Sequence, residues 1–94
     1  MATFLMFGKY SADAVKQISA DRTDKTMKLV KQFQGEIKAM YALLGDYDLL
    51  FIADLPGKDK AMQFSVALSK LTGIAFTTSP AMTVAEFDKL MAEV

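Results

Sequence analysis

The 94 residues contain no histidine, no cysteine and no tryptophan. Without cysteine there is no disulfide to supplement a small core, and the ordinary ligands of zinc, haem and most redox metals are missing along with histidine. Nucleophilic triads lack their imidazole base, so any general base must be a carboxylate or phenol tuned by its surroundings. No metal and no cofactor is expected. Net charge is missing too: eleven basic residues balance eleven acidic ones, which removes the field behind most non-specific affinity for nucleic acid. No nucleic-acid partner is expected. Long hydrophobic runs are also wanting. Met1-Ala2-Thr3-Phe4-Leu5-Met6-Phe7 has no basic segment before it and stops at Gly8-Lys9, so it reads neither as a secretory signal nor as a membrane span. The expected location is the cytoplasm, with no membrane partner.

What the chain has in quantity is apolar side chains, 52% of its residues. A domain of this length buries only about 60–65% of the surface its unfolded chain exposes. Residues 1–94 are read as one domain carrying more apolar surface than so small a globule hides, and homo-oligomerisation is the economical remedy.

Patterning gives the order of elements. Ala2 to Tyr10 is apolar on both alternating sets, Phe4 and Met6 against Leu5 and Phe7, as in a strand buried on both faces. Ser11 and Asp13 cap a helix whose Val15, Ile18, Met27, Val30 and Phe33 fall near helical spacing, with an interruption expected at Asp21-Arg22-Thr23-Asp24. Gln34-Gly35 stops it. Glu36 to Leu44 is a second strand with Ile37, Ala39, Tyr41 and Leu43 on one face. Gly45-Asp46 turns the chain, with a positive φ expected at Gly45. Tyr47 to Leu55 is a third strand, Tyr47, Leu49, Phe51 and Leu55 facing one way and Leu50 and Ile52 the other. Pro56-Gly57 breaks it before a helix with Ala61, Phe64, Leu68 and Leu71 inward. Ile74 to Ser79 is a fourth strand stopped by Pro80, and Thr83 caps a last helix presenting Val84, Phe87, Leu90 and Met91.

This is an α+β chain in the ferredoxin-like βαββαβ order with a C-terminal helix. Two helices cover one face of the sheet, yet the first and third strands are apolar on both. The open face therefore needs a cover. A second copy packed sheet to sheet supplies one by two-fold symmetry and leaves space for a ligand between the sheets. Alternatively the C-terminal helix folds back over that face and leaves a monomer.

Ser19 through Arg22, Gln34-Gly35, Tyr41, Gly45-Asp46-Tyr47-Asp48 with its apolar strand to Pro56, and Gly73 followed by Thr77-Thr78 together resemble the GYD-domain family. The likeness runs over nearly the whole chain up to about the fourth strand. It implies a dimeric α/β barrel, and for most members no established function. The segment from Gly45 to Thr78 is also similar to the effector-binding half of leucine-responsive-type regulators; no helix-turn-helix of the kind those regulators add is expected here. An acidic residue commonly follows the family's proline where this chain has Gly57, so no role of that acid carries over.

Candidate chemistry is sparse. Asp46 and Asp48 alternate along a strand start and do not pair for acid–base work. The same stretch fails as an EF-hand, whose glycine and bidentate glutamate would fall on Phe51 and Gly57. Gly57-Lys58 lacks the upstream glycine of a phosphate loop. Arg22, Lys25, Lys28 and Lys31 read as a solvated helix face. Tyr10, Tyr41 and Tyr47, each an apolar ring with a hydroxyl, are the candidates to line a pocket for a small organic ligand, with a hydroxyl from Thr77 or Thr78. The leading expectation is a homodimeric or larger small-molecule-binding module. The alternatives are a cofactor-independent enzyme of the barrel type, resembling a monooxygenase or isomerase, with Tyr41 or Asp48 transferring a proton, and a structural or protein-binding module.

Overall fold

The computed structural model describes residues 1–94. Its elements are β1 (Ala2–Lys9), α1 (Ala12–Lys16), α2 (Ala20–Gln32), β2 (Glu36–Ala42), β3 (Leu49–Leu55), α3 (Lys58–Thr72), β4 (Ala75–Ala81) and α4 (Val84–Met91). The strands form a four-stranded sheet in the order β2-β3-β1-β4 with every neighbouring pair antiparallel. This is the ferredoxin-like α+β arrangement, and α2 and α3 lie on one side of it. No helix is long and apolar enough to cross a membrane.

The covered side holds the core. Phe4 and Met6 of β1, Phe51, Ala53 and Leu55 of β3, and Ile37 of β2 meet Val30 of α2 and Ala61, Phe64 and Leu68 of α3. Ala61, Phe64 and Leu68 recur at helical spacing, which aims one stripe of α3 at the sheet. Phe64 is fully buried, and removing a side chain of that size from water contributes about 1.5–3 kcal/mol. Gly35 lets the chain leave α2 close to β3: a Cβ there would stand 2.6 Å from Leu55 Cδ2 and 2.8 Å from the Asp54 carbonyl oxygen.

The interruption expected in the first helix at Asp21 to Asp24 is present as a division into two helices, but the break precedes the acidic cluster. It falls at Gln17 to Ser19, where Ser19 takes an extended backbone and its Oγ accepts from the Arg22 amide at 3.2 Å. Asp21 therefore sits in the first turn of α2, where a carboxylate is favoured by the dipole. Val15 and Ile18 are exposed instead of lying on an inner stripe. At the other end, Gly35 N donates to Val30 O and Gln34 N donates to Lys31 O. This paired closure puts Gln34, not Gly35, at positive φ, 59°.

The strands also depart from simple alternation. A bulge between Ile37 and Ala39 shifts the register of β2, so Ile37 faces the core beside Ala53 while Ala39 and Tyr41 pair with Ile52 and Leu50 on the opposite face. The expectation that these three share a face is corrected by that one extra residue. β3 begins at Leu49, and Tyr47 lies before it, its ring 5.1 Å from that of Phe7. Tyr47 thus joins the open face and not the face of Leu49 and Phe51. Pro80 does not stop β4; it lies within it, opposite Phe4. A proline without an amide donor is tolerated there because β4 is the last strand of the sheet.

The face away from α2 and α3 carries Leu5 and Phe7 of β1, Leu50 and Ile52 of β3, Ala39 and Tyr41 of β2, and Thr77 and Ser79 of β4, as the register requires. Leu5, Phe7, Leu50 and Ile52 are half-buried. Its far end is polar: Thr3 Oγ1 donates to Asp54 Oδ1 at 2.8 Å, and Lys38 Nζ stands 3.7 Å from Asp54 Oδ2. α4 does not fold over this face. Thr83 caps it, its Oγ1 accepting from Glu86 N at 3.1 Å, yet it buries no residue, and Val84 remains 74% and Phe87 49% exposed.

Candidate functional site

The connection from β2 to β3 is organised by Asp48. Leu43 N donates to Asp48 O and Asp48 N donates to Gly8 O, each at 2.8 Å. The carboxylate then accepts from Tyr10 N at 2.8 Å, taking the place of a main-chain carbonyl just beyond the end of the ladder and extending the hold on β1 to Tyr10. A charged acceptor makes this bond stronger than a neutral one. Gly45, in the same connection, has φ of 151° with open space where a Cβ would stand.

Held in this way, Tyr10 lies beneath Arg22, whose guanidinium carbon is 5.4 Å from the ring centroid. Arg22 Nη1 also donates to Ala14 O at 2.6 Å, tying α1 to α2 across the break between them. The cation–π contact with the ring and the bond to a carbonyl both hold the guanidinium in place.

Behind this pair opens a cleft of about 210 Å³ between the first half of α2 and the sheet. Met40, Phe51, Ile74 and Phe76 give it an apolar lining, with the Phe51 and Phe76 rings 5.4 Å apart. Thr26 and Thr72 also line it, but their hydroxyls are committed to main chain. Thr26 Oγ1 donates to Arg22 O at 3.0 Å; Thr72 Oγ1 donates to Leu68 O at 2.7 Å and accepts from Ile74 N at 3.1 Å. Arg22 is the one charged side chain among the lining residues.

The structure distributes the residues singled out from sequence over three places. Tyr10 is in the cleft, and Tyr41 contributes to its rim although its position in β2 belongs to the open face, where it is 55% exposed. Tyr47, packed on Phe7, and Thr77, paired with Phe7 across the ladder, lie on the open face. Thr78 is on the helix side, in a groove of about 380 Å³ between α3 and β4, where its hydroxyl is 2.7 Å from Ser65 Oγ. Asp48 carries the backbone contacts just described. No group of three or more acidic side chains gathers as metal ligands would.

The model of the GYD domain matches residues 4–91. The chain belongs to the GYD-domain family. A search of curated proteins finds no match. Among solved structures, this GYD-domain protein is similar to the crystal structure of the Mycobacterium tuberculosis leucine response regulatory protein, LrpA, with a TM-score of 0.58 and 5% sequence identity, over 87% of this chain and 51% of that one. The chain thus spans about half the length of that neighbour, and at this identity the likeness is one of fold.

In the Gly45-Asp46-Tyr47-Asp48 stretch of this GYD-domain protein, Asp48 anchors Tyr10. What patterning passed over is Arg22, read as one more cation on a solvated ridge. A signal was present: Ser19 three residues ahead is a capping residue, which starts a helix and sets Arg22 in its first turn. Lys25 behaves as that ridge was read, paired on the surface with Asp21 at 3.1 Å.

Proposed function

We propose that this GYD-domain protein is a small cytoplasmic homodimer, paired through the open faces of its sheets, that binds a small organic molecule. The observation that carries the pairing is the apolar patch of Leu5, Phe7, Leu50 and Ile52, which neither α2, α3 nor α4 covers. The patch is continuous across the two central strands and bordered by Tyr41 and Tyr47, an apolar centre with partly polar edges that suits an interface. A second copy related by a two-fold axis would set the sheets about 10 Å apart and bury the patch against itself.

Two kinds of space support ligand binding. The boundary of such a pair would contain Tyr41, Tyr47 and Thr77, and each protomer has the cleft behind Tyr10 and Arg22. The neighbour of like fold is named for a response to leucine, and ligand sensing comes to this chain only as part of the proposal. The lack of cysteine agrees with a reducing compartment.

Native mass spectrometry tests the pairing and any retained ligand together. A dimer is expected for the unaltered protein, and a monomer with unchanged circular dichroism for Ile52→Glu. A monomeric unaltered protein at every concentration tested would overturn the pairing. Thermal-shift screening that finds no stabilising small molecule would overturn the binding.

A further inference from the structure

We infer that the cleft behind Tyr10 and Arg22 is a binding site for a small organic monocarboxylate, with the carboxylate on Arg22 and the apolar body on the floor made by Phe51, Ile74 and Phe76. The inference rests on the reading of the chain as a small-molecule-binding module, and it does not depend on pairing.

Charge is the first ground. The ion pairs of the protein join Lys25 to Asp21 and Lys38 to Glu36 and Asp54, and Arg22 is in none of them. No aspartate or glutamate lines the cleft. A half-buried cation facing an apolar hollow without a counter-ion is an incomplete arrangement, and a bound anion completes it. Asp48, in the connection beside the site, has a carboxylate oxygen occupied by the Tyr10 amide.

Geometry is the second. A guanidinium has five N–H donors in a planar fork. One is committed to Ala14 O, and the guanidinium carbon lies 5.4 Å from the Tyr10 ring centroid, so two contacts hold the group at the cleft. The remaining donors match the two oxygens of a carboxylate. A preset donor group loses less freedom on binding than an unrestrained lysine would.

Size and polarity define the class. The volume of about 210 Å³ corresponds to about seven waters, below the range of drug-sized pockets. It suits a molecule of roughly six to ten non-hydrogen atoms. The threonine hydroxyls donate to main chain, so the inner end favours a hydrocarbon or aromatic body over a polyol. One arginine suits a monoanion; a phosphate dianion would call for further cations, and the cleft has none.

The test is a titration of the unaltered protein with hexanoate and benzoate, and in parallel with hexanamide and benzamide, followed by two-dimensional amide NMR. The acids are expected to shift the signals of Arg22, Thr26 and Ile74, and the neutral amides to bind at least about tenfold more weakly, since hydrogen bonds to a charged group are worth about 1.5–3 kcal/mol. Arg22→Gln should weaken acid binding by a similar factor with little effect on the amides, and Arg22→Lys should restore part of it. The acid–amide comparison needs no variant, so a folding defect in Arg22→Gln would not obscure the answer. Amides binding as well as acids would overturn the inference while leaving a small-molecule module standing. Shifts confined to Leu5, Phe7 and Ile52 would likewise overturn it and move the ligand to the open face. No shift with any of the four probes at about 10 mM, a concentration that detects even millimolar affinity, would also defeat it.

Discussion

The two faces of the sheet are built from the same strands and share one apolar alphabet, yet they end in different states. On the helix side Met6, Ala53 and Leu55 have no exposed surface, and Gly35 admits backbone so close that a single carbon would collide. On the other side Leu5, Phe7, Leu50 and Ile52 stand half-buried, with the Tyr47 ring against Phe7. Hydrophobicity alone does not distinguish the faces. What does is the availability of a partner inside the same chain: α2 and α3 are joined to the sheet by short connections that return them to one side, whereas α4 leaves from β4 and has no buried residue of its own. One face is therefore a core, and the other has the composition of a core without its cover.

Substitutions of matched chemistry on the two faces put that contrast to the test. Phe64→Ala should have the largest effect, lowering stability by about 3–5 kcal/mol through lost burial and the cavity left behind. Chemical denaturation reads this directly, and the matched Phe7→Ala should cost much less in protein held monomeric. Equal losses would erase the distinction. Next comes Gly35→Ala, where the added methyl meets Leu55 and a carbonyl oxygen; overpacking of this kind costs about 1–3 kcal/mol. Gly45→Val follows, near the lower end of about 1–3 kcal/mol for a strained backbone, because its φ of 151° disfavours a β-branched residue while the space around it is empty. A melting temperature unchanged from the parent would show that the connection relaxes freely. Ser19→Ala should be smallest, about 1 kcal/mol for a lost helix cap, with a decrease in helical circular dichroism as its mark.

Much of this architecture was legible in the residues. Phe4 and Met6 against Leu5 and Phe7 gave a strand with two apolar faces, Pro56-Gly57 and Gly73 bounded α3, and Thr83 announced α4. The element order follows from those marks, and the ferredoxin-like sheet from the order. Failures came where one residue changes the phase. A bulge at Ile37 to Ala39 has no signature in alternation, because Lys38 occupies a place any polar residue on a regular strand might hold. The helix break is set by Ser19 competing with the backbone of an otherwise continuous stripe, and the acidic cluster after it is a helix start, not an interruption. Pro80 reads as a stop unless its strand is known to be outermost, which is a fact about topology. The cleft was half visible: Tyr10 was singled out for its ring and hydroxyl, but its partner is distant in sequence from the Asp48 that holds it. Contacts of that range arise from the fold and leave no local pattern.

The bulge in β2 and the proline in β4 occupy opposite borders of the sheet. An outermost strand that is flat and fully bonded invites another chain to add to it, and bulges, lysines and prolines are the usual obstacles. Here one border carries the bulge with Lys38 beside it, and the other lacks an amide at Pro80. Lateral growth into a ribbon is discouraged on both sides, which leaves the direction perpendicular to the sheet for the pairing proposed above.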